Sequence, residues 1–432
     1  MSIKTHAQRS WVQKSLQLRW ARVVLGCVAV SLSTACALPY RPYQVGVGSS
    51  GTALGIKSTL NSHKGSQEVD VFLVHGMCTH GRDWVASANN HLAAALGINQ
   101  RFDEKSIGEP VHVAGGETEL YRKVLDVDGG KKVVSHAIVW SPVTIDEKKT
   151  LCYDRDDDRD APAASYCTGE YTSPYVRARL NRDLQNSLMN DCLADAIVYV
   201  GPKKERIQAQ MQEVIEYAAA DRAKSKSRAD LRAHAATEQT PLFVITESLG
   251  SKIFFDSLLL MVCEGHEASA AAAGTVGRTA QIFMGANQVP ILSLAAPLVT
   301  SLQGPRCRAE TAAFGVQLGR ARPAAEDPLN ELFRRFGARQ KSFTESIDSD
   351  KARLPTRAEV VVFDDPNDLL SWPLKYSQHE TGITYRSVDV IVSNAFTWFG
   401  YAEHPLHAHT DYRVNPDVRR IIACGLPVAE DC

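Results

Sequence analysis

Short apolar runs bounded by polar residues or glycine recur along the chain: Val69 to Val74, Val133 to Trp140, Pro241 to Thr246, Ala280 to Met284, Val360 to Phe363 and Val388 to Ser393. They are continuous rather than alternating, the mark of strands covered on both faces, as in a parallel sheet. Between them lie stretches of helical periodicity, notably Val176 to Leu193, Lys204 to Lys224, Lys252 to Cys263 and Pro416 to Ala423. Strands alternating with helices imply βαβ units, so the expected fold class is α/β, a doubly wound, mostly parallel sheet flanked by helices. Two intervals, Thr144 to Tyr175 and Gly304 to Arg357, fit neither pattern and are expected as insertions, each a candidate cap or lid. The first carries the acidic run Asp154 to Asp160, which lacks the turn glycine and distal glutamate of a calcium loop and reads as solvated surface.

The 432 residues exceed the usual single-domain length, and one large core with insertions is the expected organisation. Lys plus Arg number 48 against 49 Asp plus Glu, a balance that gives no basic surface for nucleic acid and no acidic tail. No nucleic-acid partner is expected.

The N-terminus changes the picture. Lys4, Arg9, Lys14, Arg19 and Arg22 precede an apolar run, Val23 to Leu32, too short to span a bilayer. Leu32-Ser33-Thr34-Ala35-Cys36 follows and resembles a bacterial lipobox, with Ser33 in place of the usual leucine. Residues 1–36 are therefore expected as a lipoprotein signal peptide ending at Cys36, the lipidated residue and the chain's membrane anchor. The alternatives are an ordinary signal peptide cut near Ala35 or an uncleaved anchor. Ala37 after the cysteine resembles lipoproteins sorted to the outer membrane, facing the periplasm. Residues 37–67, rich in Gly, Ser, Pro and Tyr, are expected as a flexible tether to a domain spanning 68–432. Cys78, Cys152, Cys167, Cys192, Cys263, Cys307, Cys424 and Cys432 form an even set suited to an oxidising compartment. The sequence neighbours Cys152 with Cys167 and Cys424 with Cys432 are the first pairs to expect, although spacing alone does not fix connectivity.

Three segments carry candidate chemistry. Pro241 to Lys252 is a buried strand running through Thr246-Glu247-Ser248-Leu249-Gly250 into a helix, and a serine at such a turn projects its hydroxyl beyond the sheet edge. Gly250 supplies the small residue two places on, whereas Thr246 stands where a second glycine is usual. The competing reading of Ser248 is an ordinary helix cap. Val69 to Gly81 is a strand ending in His75-Gly76-Met77. The amides of Met77 and Leu249 are the expected donors to a tetrahedral oxyanion; His75 reads as a brace of the loop, His80 sits near its end, and neither need be catalytic. Val360 to Ser371 is a strand followed by an acidic loop. There Asp368 is the favoured orienting carboxylate, Asp365 its alternative and Asp364 a turn or cap residue. His404, His407 and His409 cluster near the C-terminus ahead of a helix, and His409 is the expected general base. A metal site built from these histidines is the competing reading, but they do not form a helical H-E-x-x-H and have no second ligand cluster. No metal or other cofactor is expected.

Taken together, Val74-His75-Gly76-Met77 with Thr79-His80, Ser248 in its turn, Asp365-Pro366-Asn367-Asp368-Leu369-Leu370-Ser371, and His409 before Tyr412 resemble the α/β-hydrolase superfamily, its serine esterases and lipases. Asn190-Asp191 through Tyr199, followed by Arg206-Ile207, looks like the helix that precedes the nucleophile strand in those enzymes. The resemblance implies hydrolysis of an ester or lipid substrate through an acyl-enzyme by Ser248, His409 and Asp368. Glu247 and Asn287-Gln288 would line the pocket or serve packing. The alternative of another class is a non-catalytic binding or scaffold lipoprotein on the same fold.

Overall fold

The apolar runs all become strands of one nine-stranded sheet: β1 (Gln44–Val45), β2 (Glu68–Val74), β3 (Val111–His112), β4 (Glu119–Val127), β5 (Lys131–Val139), β6 (Leu242–Glu247), β7 (Thr279–Gly285), β8 (Ala358–Asp364) and β9 (Tyr385–Ile391). The structure is a computed structural model that describes residues 36–46, 51–62, 67–152, 178–201, 203–295, 328–347, 358–374, 385–429 and 432. The spatial order is β1-β9-β8-β7-β6-β2-β5-β4-β3. The six central strands, β9 to β5 in that order, run parallel, and β1, β4 and β3 pair antiparallel at the edges.

Sheet residues alternate between two cores. Phe72, Val74, Ile138, Val244, Ile282, Val360 and Val362 face one side, and Val71, Leu73, Val133, Phe243, Phe283, Val361 and Phe363 the other. The first face is covered by α2 (Lys204–Ala219), α4 (Leu249–Leu260), α5 (His266–Gly277) and α6 (Pro328–Ile347), and the second by α1 (Arg82–Ala95) and α8 (Pro416–Cys424). Burial on both faces is why these strands read as continuous apolar runs; each large side chain so buried contributes about 1.5–3 kcal/mol.

β4 was not foreseen. Its sequence mixes Glu119, Arg122, Lys123 and Asp126 with apolar residues, because it lies toward the sheet edge and is partly solvated. It reaches β5 through a tight turn in which Gly129 and Gly130 both have positive φ, 80° and 77°.

Three expectations need correction. Residues 37–67 are not a free tether where described: Gln44–Val45 extends the sheet beside β9, Ala53–Leu54 pairs with Gly425–Leu426, and the helix Ile56–Ser62 buries Ile56 and Leu60. Apolar burial outweighs the Gly- and Ser-rich composition there. The interval Gly304 to Arg357 is not all insertion, since α6 buries Leu329, Leu332 and Phe333 and lies in the crossover between β7 and β8. The rest of that interval, and most of Thr144 to Tyr175, lies outside the described residues. Finally, Arg179–Leu184 continues as a π-helical stretch, Gln185–Leu193, and then as an α-helix, Ala194–Val200. α2 and α3 (Arg228–Thr237) both intervene before β6, so the Asn190 segment is not the helix preceding the serine strand.

Candidate active site

The site forms at the carboxyl end of the parallel strands, where each strand hands its chain to a loop. β6 ends at Glu247 and α4 begins at Leu249, leaving Ser248 alone at the corner with φ 51° and ψ −130°. A non-glycine residue is rarely held there; the surrounding structure sustains a cost of about 1–3 kcal/mol. Part of that support is the Ser248 amide, which donates to the Gly285 carbonyl at 2.8 Å.

The tight turn explains its neighbours. A Cβ at Gly250 would lie 2.0 Å from the His75 carbonyl oxygen, so strand and helix approach too closely for any side chain. Thr246 is tolerated two places earlier because it is fully buried between β2 and β7 and its hydroxyl meets Ser251 Oγ at 2.9 Å. Gly250→Ala is expected to destabilise the fold by about 3 kcal/mol or more, since backbone rather than a flexible side chain must give way. Urea unfolding monitored by circular dichroism checks this, and an unchanged midpoint would contradict the close approach.

The loop after β2 runs directly against the serine. A Cβ at Gly76 would stand 2.7 Å from Ser248 Cβ and 3.4 Å from its Oγ. Met77 follows Gly76 and Leu249 follows Ser248, so both expected oxyanion donors belong to residues next to this contact. Leu249 opens α4, where an amide has no acceptor within the helix.

Several groups fix this loop. His75 Nε2 accepts from the Trp140 and Ser141 amides at 3.0 and 3.3 Å, so its Nδ1 carries the proton and donates to the Gly76 carbonyl at 2.7 Å. The ring stacks on Trp140, and burial holds its pKa well below the usual imidazole range. His80 donates from Nε2 to the Met77 carbonyl at 3.0 Å. Burial, with the charge of Arg413, pushes it down to about 4. Both histidines are neutral braces.

Behind the loop, Thr79 donates to Asp191 through its amide and hydroxyl, at 3.1 and 2.5 Å. Fully buried Lys148 reaches Thr79, Asp191 and Asp195. Cys78, at φ 79°, is bonded to Cys192 in the π-helical stretch. That disulfide was not foreseen, because its partners are 114 residues apart. The double substitution Cys78→Ser with Cys192→Ser is expected to lower stability by about 2–4 kcal/mol, which denaturant unfolding checks. Cys424 and Cys432 are bonded as expected. Cys152 is also disulfide-bonded, and its expected partner Cys167 lies outside the described residues.

The carboxylate comes from the loop after β8 and the imidazole from a short helix, Pro405–Thr410, that follows β9. Ser248 Oγ lies 3.1 Å from His409 Nε2, and His409 Nδ1 lies 2.9 and 3.0 Å from the two oxygens of Asp368. With Asp368 accepting at Nδ1, Nε2 is left unprotonated to accept from the serine. Asp368 also accepts from the Leu370 amide at 2.9 Å and the Tyr412 hydroxyl at 3.1 Å. Tyr412 in turn accepts from the Asp365 amide at 2.9 Å, tying the acidic loop to the histidine segment. Sequence reasoning gave Tyr412 no role, and only its position three residues after His409 offered a signal.

The other candidates have structural partners. Asp365 accepts from the amides of Asn367 and Asn394 at 3.0 and 2.7 Å and faces Glu403, whose pKa burial and the Asp365 charge push up to about 7. Asp364 accepts from Ser371 Oγ, closing the loop. His404 caps α7 (Pro405–Thr410), the helix that carries His409, and His407 pairs with Asp411 at 3.0 Å. Glu247 pairs with Arg413 at 2.8 Å, and the guanidinium lies over the Trp84 ring. Asn287 links to Trp372 through side-chain and backbone bonds, and Gln288 is buried. Among the described residues, the grouping of donors close enough to share a cation is Cys78, Asp191 and Cys192, two of which are joined in the disulfide.

No protein-family model matches the chain, and no curated protein does. Among solved structures, acetyl xylan esterase 1 from Thermoanaerobacterium sp. JW/SL YS485 is similar at 9% identity over 78% of this chain and 92% of that one. Its TM-score of 0.17 is too low to carry an argument about fold or chemistry.

Proposed function

We propose that this chain is a serine hydrolase cleaving carboxylic esters, with Ser248 as nucleophile, His409 as general base and then acid, and Asp368 as the carboxylate that orients it. The observation that carries the reading is the unbroken hydrogen-bonded line from Ser248 Oγ through both ring nitrogens of His409 to Asp368. Ser248 attacks the ester carbonyl as its proton passes to Nε2. The tetrahedral oxyanion takes the Met77 and Leu249 amides, and the alkoxide leaves with that proton. Water then attacks the acyl-enzyme, giving its proton to Nε2, and the acid departs as Ser248 regains a proton. Asp368 stays ionised throughout and stabilises the imidazolium.

The α/β-hydrolase fold is part of the same reading. It is supported by the chain order of serine, acid and histidine, which follow the parallel strands β6, β8 and β9, and by the loop after β2 pressing on the serine. We also read Cys36 as the acylated anchor of an envelope lipoprotein, probed by mass spectrometry of the N-terminal peptide. A fluorophosphonate is expected to label the native but not the denatured protein, with the adduct on the Ser248 peptide. No labelling and no p-nitrophenyl ester hydrolysis would turn the reading to a non-catalytic binding module. Hydrolysis abolished by a chelator would turn it to metal chemistry.

A further inference from the structure

Beyond the last parallel strand, the chain makes a closed turn whose tip is aromatic. Trp398 is 60% exposed, Phe399 65% and Tyr401 94%, and Phe396 beside them is exposed too. The turn is firmly built: the Trp398 amide donates to the Ala402 carbonyl at 2.7 Å and the Tyr401 amide to the Trp398 carbonyl at 2.8 Å. Glu403 fastens its base, accepting from the Ala395 amide, the Thr397 hydroxyl and Asn367 Nδ2. Phe399 is held at φ 51° and Gly400 at 66°, an unfavourable backbone for a bulky residue. Rings held outward on a fixed turn make a patch that an isolated soluble protein rarely exposes.

Two features select the partner. Cys36–Ala37 pairs antiparallel with Thr397–Trp398, placing Cys36 opposite Trp398. Whether Cys36 is acylated or the apolar leader Val23 to Leu32 is retained, the membrane-directed end of the chain joins the fold beside this tip. Between Val392 and Thr410 there is no Lys or Arg, and the lone acid, Glu403, is turned inward. A ring-bearing segment with no Lys or Arg of its own suits the headgroup region of a neutral bilayer, where Trp and Tyr concentrate. The same segment continues into α7 with His409, and exposed Leu369 and Leu406 lie one residue from Asp368 and three from His409.

We propose that the aromatic turn Phe396 to Tyr401 is a membrane-interface anchor that seats the Ser248–His409 edge of the domain on the lipid surface. It rests on the proposed leader reading for the direction of the membrane and does not require catalysis. The test reconstitutes the full-length protein in phosphatidylcholine vesicles with brominated acyl chains and compares tryptophan emission of the wild type with Trp398→Phe. Trp84 and Trp140 are buried and Trp372 is half-buried; all three are common to both proteins, so the difference isolates Trp398 from them and from the leader tryptophans. That difference emission is expected to be quenched about twofold or more, and to remain so at about 0.5 M salt, where charge attraction is screened. Trp398→Ser with Tyr401→Ser is expected to raise KM for a vesicle-borne ester about tenfold, through lost interfacial burial, with kcat/KM for soluble p-nitrophenyl acetate unchanged. Unquenched Trp398 emission, or unchanged vesicle kinetics in an active double variant, overturns the proposal. So does a wild-type dimer in light scattering that the double variant splits, since the turn would then serve a second copy. If no ester is hydrolysed, the quenching still decides the matter, so failure of the hydrolase reading is told apart from failure of this one.

Discussion

Ser248→Ala is expected to lower kcat by about 10⁴- to 10⁶-fold while leaving the thermal unfolding midpoint near that of the wild type. The loss is large because the alanine removes the atom that forms the acyl bond, and what remains is oxyanion stabilisation of attack by water. Folding is spared because, among the described residues, the Ser248 side chain bonds only His409, while the amide bond to Gly285 that holds the corner belongs to the backbone. His409→Ala is expected to cost about as much, and the double variant little more than either single one, since the two groups act in one proton transfer. Burst kinetics with p-nitrophenyl esters read these losses directly. Retention of a tenth of the activity by a folded Ser248→Ala protein would remove the serine from the chemistry.

Asp368→Asn is expected to reduce kcat by about 10⁴-fold, and Asp365→Asn by less than about tenfold. The asymmetry follows from hydrogen-bond polarity. An asparagine amide turned toward His409 would donate to Nδ1, drive the ring proton to Nε2 and leave nothing to accept the Ser248 proton. Asp365 does not touch the imidazole; it holds the Asn367 and Asn394 amides, so its replacement is felt in stability. Burial raises its pKa, and Glu403 lies beside it. Parallel measurement of kcat and urea midpoints for the two variants separates the roles, and the reverse pattern would exchange the two aspartates.

The strands and the serine corner were legible for one reason: each depends on local order. A strand buried on both faces must be apolar throughout, and β2, β6, β7 and β8 were found within one or two residues of their observed ends. A serine corner needs a strand, a small residue and a helix in immediate succession, all visible between Pro241 and Cys263. β4 escaped because a strand next to the sheet edge can carry Arg122, Lys123 and Asp126 where it is partly solvated. The segment 37–67 was misjudged because composition reports chain flexibility and says nothing of Ile56 and Leu60 finding a cavity to fill.

The sequence by itself determined the alternation of strand and helix, the serine corner with its obligatory Gly250, and the pool of acids and histidines from which partners had to come. These are properties of neighbouring residues, set by sterics and periodicity. Only the tertiary structure decided that Asp368 rather than Asp365 meets His409, that Tyr412 supports it, and that Cys78 reaches Cys192. Those choices turn on how loops from separate strands fold over one sheet edge, and a shift of a few ångströms there reassigns a hydrogen bond without altering any local pattern.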